Sequence, residues 1–196
     1  MKESNKIRLM VLSSIVLCLA FLNIFFAEIP NFSPIAATAL FAGYFISDKK
    51  LAFIIPLGAI IISDFFIGFH SMIWSVYLSF ILVVFLGATM KKRSILNVLG
   101  RSLLGSILFF VLTNFAVFMQ GGYTHSFTGL AECYFMAIPF FKNTLAGDLL
   151  FNAALFSLFS FAELKFPSLQ VAKSKVLQRT KEFNSAVNAH FSTCFE

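Results

Sequence analysis

Residues 72–119 read MIWSVYLSFILVVFLGATMKKRSILNVLGRSLLGSILFFVLTNFAVFM. Two apolar runs, Met72 to Met90 and Ser102 to Met119, are separated by the basic cluster Lys91-Lys92-Arg93 and by Arg101. Each run has the length that a helix needs to cross hydrocarbon, roughly 17 to 25 residues. A cationic break between two such runs reads as a loop held at a membrane face.

The same pattern extends both ways. Further runs fall at Leu9 to Ala27, Asn31 to Ile46, Leu51 to Ile67 and Thr144 to Phe161. Of 196 residues, 59% are hydrophobic and 12% charged, and 28 are Phe. Soluble domains carry about 25% charged residues, so lipid is the solvent this composition suits. Six crossings use most of the chain and leave no room for a separate soluble catalytic domain. The second run is short: its length as a helix is about 24 Å against a hydrocarbon core of about 30 Å.

Charge placement resolves whether that run crosses or turns back. With six crossings, fourteen of the 15 Lys and Arg residues share one side and Lys142 alone lies opposite, as the positive-inside rule demands. A re-entrant second run would export the clusters at Lys49 and Lys91. The formal charge of +6 is therefore a topological signal and not one for nucleic acid. Lys2, Lys6 and Arg8 precede the first apolar run as in a leader, but that run is long for one and Phe25-Phe26-Ala27 makes a poor cleavage site. It reads as a retained span. Cys18, Cys133 and Cys194 lack the spacing of a disulfide framework or a metal site.

Outside the spans, Gln120 to Asn143 forms an aromatic-rich outer loop, in which Thr128 is expected to cap a short helix that Pro139 ends. After Phe166, Leu169, Ala172, Val176, Phe183 and Val187 recur at helical spacing beside basic residues. This describes either an amphipathic helix on an anionic membrane face or a solvated tail. The expected organisation is a membrane domain over residues 1–165 and a cytoplasmic tail over 166–196.

Polar groups embedded in spans indicate where chemistry lies, because a carboxylate there costs roughly 2.5 to 3.5 kcal/mol on insertion scales. Asp64 and Asp148 both fall in outer half-spans, as do Asn114 and Asn31, with His70, Lys142 and Asn143 at outer helix ends. Thr144, Asp148 and Asn152 follow at i, i+4, i+8 and share a helix face. The inner halves hold little beyond Ser, Gly and apolar residues. These residues predict a polar pocket open to the outside, and Asn31, Asp64, His70, Asn114, Lys142, Asn143, Asp148 and Asn152 are its candidate solute contacts. For each, the alternative is a hydrogen bond that fastens one helix to another. Gly147-Asp148 is too short a match to imply an intramembrane protease, and no zinc-protease, serine-hydrolase or phosphate-loop motif occurs. Neither enzymatic activity nor a cofactor or metal is expected.

The blocks Asn31-Phe32-Ser33-Pro34-Ile35-Ala36, Pro56 through Ser63-Asp64 to Gly68-Phe69-His70, Thr113-Asn114-Phe115, and Ala137 through Thr144 with Gly147-Asp148 resemble an uncharacterised family of small bacterial six-span membrane proteins. The resemblance covers about residues 8–164. That family is distantly similar to the substrate-binding S components of energy-coupling factor vitamin transporters. The resemblance implies a location in the bacterial cytoplasmic membrane, capture of a vitamin-like or other micronutrient solute from outside, and docking on a transmembrane scaffold subunit driven by ATPases. Where S components carry Ala-x-x-x-Ala in the first span, this chain has only Ser14-x-x-x-Cys18, with Ala39-x-x-x-Gly43 in the second. The sequence thus predicts an all-α six-helix transmembrane bundle with both termini inside and a short outer-loop helix. A ligand-free assembly protein and a solitary proton-coupled carrier are the other functions it allows.

Overall fold

The computed structural model of the chain describes residues 2–26, 28–69 and 71–170. Six helices follow one another: α1 (Lys2–Phe26), α2 (Ile35–Phe45), α3 (Lys49–Ile67), α4 (Ile73–Ala88), α5 (Ile95–Met119) and α6 (Phe127–Lys165). A 3-10 turn, Pro167–Leu169, comes after them, and there is no strand among the described residues. Helices α1, α3, α5 and α6 are each long and apolar enough to cross a membrane, whereas α2 and α4 are shorter apolar helices. Large apolar side chains such as Phe65, Phe85, Leu103 and Leu158 stand exposed around the bundle. In water such a surface would aggregate; hydrocarbon is the environment it matches, and the chain is built as a membrane protein.

Local chemistry sets the helix starts. Asp48 Oδ1 accepts from the amides of Lys50 (2.9 Å) and Leu51 (3.2 Å) at the head of α3. Ser94 Oγ accepts from Asn97 N at the head of α5, and Ser126 Oγ from Gly129 N at the head of α6. Each cap satisfies amides that have no partner within the helix. At the other end of α3, Gly68 has φ of 110°, a conformation that only glycine adopts readily.

The centre of the bundle is α2. Ten of its 11 residues are buried, and it packs most extensively on α4. A Cβ on Gly43 would lie 2.2 Å from the Val84 carbonyl oxygen, and one on Gly87 would lie 2.2 Å from that of Leu40. The two glycines thus let α2 and α4 touch backbone to backbone, the small-residue approach that membrane helices favour. Phe41 and Phe45 of α2 pack edge-on against Phe159 of α6, with centroids 5.4 and 4.6 Å away.

Basic residues gather at one end. Arg8 of α1 donates to Glu163 Oε1 of α6 (2.8 Å), to the Leu169 carbonyl and to that of Phe45 (3.4 Å). Arg93 donates to the second carboxylate oxygen of Glu163 at 2.6 Å. Both guanidinium groups lie within 6 Å of the Phe45 ring centroid, close enough for cation–π attraction.

Several expectations need correction. Asn31 is not in a helix: it has φ of 60°, and α2 begins at Ile35, after Pro34. The outer-loop helix is not separate. Ser126, not Thr128, caps it, and it continues through Pro139 as one 39-residue α6. The loss of one amide and the bulk of the ring favour a bend at Pro139, not a stop. Partner spacings along α5 are consistent with such a bend. Cys133 and Asp148 of α6 contact Asn114 and Ser106 of α5; the first pair is separated by about 22 Å of helix, the second by about 12 Å. The first tail residues are also not detached, because Ser4 Oγ donates to the Ser168 carbonyl (2.9 Å) and Leu169 is buried. His70 and the predicted tail positions from Ala172 to Val187 lie outside the described residues.

Candidate functional site

At the end away from Glu163, the segment between α1 and α2 folds over α6. Phe32 N bonds to the Ile29 carbonyl (3.1 Å), and Asn143 Nδ2 donates to the Pro30 carbonyl (3.0 Å). Gly147 makes this close passage possible, since a Cβ there would lie 3.2 Å from Ser33 N. Phe26, Phe32 and Phe151 close the contact as a triangle of rings with centroids 5.4 to 5.6 Å apart. The blocks Asn31 to Ala36 and Asn143 to Asp148, far apart in sequence, thus form one surface.

Beneath this flap is a cavity of about 250 Å³. Its polar wall comes from Asn23 of α1, Asn31 and Ser33 of the flap, Asp64 of α3, and Thr144 and Asp148 of α6. Aromatic rings of Phe26, Phe32, Phe80 and Phe109 supply much of the rest. Asp64 and Asp148, 84 positions apart, therefore line one space. Asp64 accepts from the Tyr77 hydroxyl of α4 at 2.8 Å. Asp148 is 3% exposed, and the Ser106 hydroxyl of α5 lies 2.5 Å from its Oδ2 while also reaching the Ser102 carbonyl (3.0 Å).

The remaining candidates are distributed around this space. Asn114 lines a second cavity of about 470 Å³ between α4, α5 and the first turns of α6, which shares Asn31, Val76 and Phe109 with the first. Its Nδ2 donates to the Phe110 carbonyl, one turn back in α5. Asn152 lines neither cavity. It lies one turn below Asp148, 1% exposed, and donates to Ser102 Oγ (2.9 Å) and to the Asp148 carbonyl (2.8 Å). Lys142 is exposed, and it is Arg8 and Arg93 that form ion pairs, with Glu163. Asn143 braces the flap through Pro30.

Four contributors went unread in the sequence: Asn23, Ser33, Tyr77 and Ser106. Asn23 Nδ2 donates to Ser63 Oγ (3.1 Å), and Ser33 Oγ donates to Asn23 Oδ1 (2.6 Å). The amide of Ile35 donates to Ser33 Oγ at 3.2 Å, so the same chain of bonds starts α2 and shapes the cavity wall. The available signal was that Asn23 is an amide in an otherwise apolar first span and needs a partner. Tyr77 and Ser106 gave no signal, because single hydroxyls in spans commonly bond their own helix.

Neither a curated protein nor a solved structure matches the chain. Its sequence does match a family profile over residues 3–169, which takes in the flap, both carboxylates and the Arg8–Glu163–Arg93 cluster. The chain belongs to DUF6580, a family of unknown function.

Proposed function

We propose that this protein captures a small solute from outside the cell in the cavity between Asp64 and Asp148, in the manner of a transporter's substrate-binding subunit. One observation carries the reading: α1, the flap, α3 and α6 each bring a polar side chain to one 250 Å³ space. Ionisable groups in membrane segments are costly and generally functional. The volume falls just under the roughly 300 Å³ at which ligand pockets begin, which suits a small molecule, and the neighbouring cavity gives it an approach.

All six helices cross the bilayer in this reading, and both termini are cytoplasmic. Support comes from the clustering of Arg8 and Arg93 at the end opposite the cavity, with Lys49 at the head of α3 and Lys91 beside Arg93 in the α4–α5 connection. The membrane is the bacterial cytoplasmic one. A scaffold subunit and ATPases are the partners in this reading, as the resemblance to S components drawn from the sequence blocks implies, since the sequence has no phosphate loop of its own. The short α2 has its ends shielded by the flap and by Arg8 and so does not need a full hydrocarbon length.

Native mass spectrometry of the protein purified from its own membranes tests the reading. Wild type should carry a bound small molecule, and Asp148→Asn should lose it at unchanged yield. Equal retention by the variant, or no adduct on either protein, would overturn it. For Asn152 a second role is favoured: its bonds to Ser102 and to the Asp148 backbone fasten α5 to α6 in a dry contact.

A further inference from the structure

We infer that the solute is a small organic cation, an ammonium- or amidinium-bearing molecule with an apolar or aromatic body. The inference rests on the proposed solute cavity and follows from which hydrogen-bonding capacity its wall has left. Apart from the Asn31 amide, the side-chain donors that line the cavity are engaged. Tyr77 gives its proton to Asp64, and Ser33 gives its proton to Asn23. Asn23 donates to Ser63, and Thr144 Oγ1 donates to the Phe140 carbonyl at 3.2 Å. What those groups still present is oxygen lone pairs, together with the Asp148 carboxylate.

Among the described residues no Lys or Arg lines the cavity. An anionic solute would face the Asp148 carboxylate with few free donors to hold it. A cation with several N–H groups meets the acceptors it needs, and a desolvated ammonium over the faces of Phe26, Phe32, Phe80 or Phe109 gains further attraction. Asp148, held by the Ser106 hydroxyl at the base of the wall, would be the inner anchor.

The test reads the charge preference of the cavity without knowing the solute. Cys18, Cys133 and Cys194 are replaced by Ser, and a single cysteine is introduced by Thr144→Cys. Ile67→Cys, on the same cavity, serves should that variant fail to fold. Gly122→Cys, on the exposed connection before α6, is the reference. Intact cells are treated with trimethylammonioethyl methanethiosulfonate or with sulfonatoethyl methanethiosulfonate. The rate ratio of cationic to anionic reagent should be about tenfold higher in the cavity than at the reference and should fall to the reference ratio when Asp148→Asn is added. Benzylammonium chloride should slow the cavity reaction, and sodium benzoate should not. Equal ratios at the two positions, or protection by benzoate alone, would overturn the cation while leaving a solute cavity in place. No reaction in the cavity with either reagent, while Gly122→Cys reacts, would overturn the cavity reading and the cation with it.

Discussion

At the basic end, the Glu163 carboxylate receives two guanidinium groups, and Phe45 lies under both. At the cavity end, the Asp148 carboxylate receives one hydroxyl and Asp64 receives Tyr77. Both ends enclose a carboxylate among apolar rings, but Glu163 meets two cations and Asp148 a hydroxyl. A paired charge in a low-dielectric setting holds helices in place, and removing one member leaves the other exposed to the full desolvation penalty. A carboxylate held as Asp148 is, by a hydroxyl, contributes less to the bundle and keeps its affinity for something that arrives later. The difference separates a fastening from a site.

The largest effect should come from breaking the fastening. Glu163→Gln leaves Arg8, 5% exposed, beside a neutral amide, and should cost about 3 to 5 kcal/mol. Thermal unfolding in detergent micelles would measure it, and a loss below about 1 kcal/mol would deny the pairing that role.

Truncation sharpens the same end. Ending the chain after Lys165 removes the Leu169 carbonyl from Arg8 and the buried Leu169 side chain. It should lower stability by about 2 to 3 kcal/mol. Ending it after Gln170 keeps both and should leave the melting curve unchanged. Equal behaviour of the two truncations would remove the turn from the structural account.

A smaller change is expected at the flap. A methyl group from Gly147→Ala meets Ser33 N at 3.2 Å and Phe32 Cδ2 at 3.4 Å, so the loop must shift by a few tenths of an ångström. The cost should be about 1 kcal/mol, at the low end for overpacking, with a larger loss of solute binding than of stability. Parallel melting and binding measurements would separate the two. Loss of stability without loss of binding would detach the flap from the site.

The smallest stability effect should belong to Asp148→Asn. Asn keeps the shape and can still meet Ser106, so unfolding should change by less than about 1 kcal/mol, in contrast to Glu163→Gln at the other end. A loss as large as that of Glu163→Gln would make Asp148 a fastening too and erase the comparison.

The apolar runs and the breaks between them were sufficient, by themselves, to place the six helices of the described residues, four of them long and apolar enough to cross a membrane, because hydrocarbon imposes a length and a composition on whatever crosses it. Helix α3 starts on its basic pair, at Lys49, but α5 starts at Ile95, ahead of the apolar run expected from Ser102, and carries Arg101 within it. The pairing of Asp64 with Asp148 was also legible, since two costly groups at similar depth have few places to turn. What sequence could not supply was contact across helices. Nothing in the residues before Asp148 indicates that α6 continues through Pro139, because a proline inside a helix either ends or bends it and the neighbouring α5 decides which. Likewise, Asn152 shares a helix face with Asp148 in any reading of the spacing, yet one turn separates a cavity wall from a dry contact. Rotation and depth of each helix, fixed by the backbone approach of Gly43 to Gly87 and by the flap at Gly147, set that boundary. Helix spacing gives the face of a residue; only packing gives what the face meets.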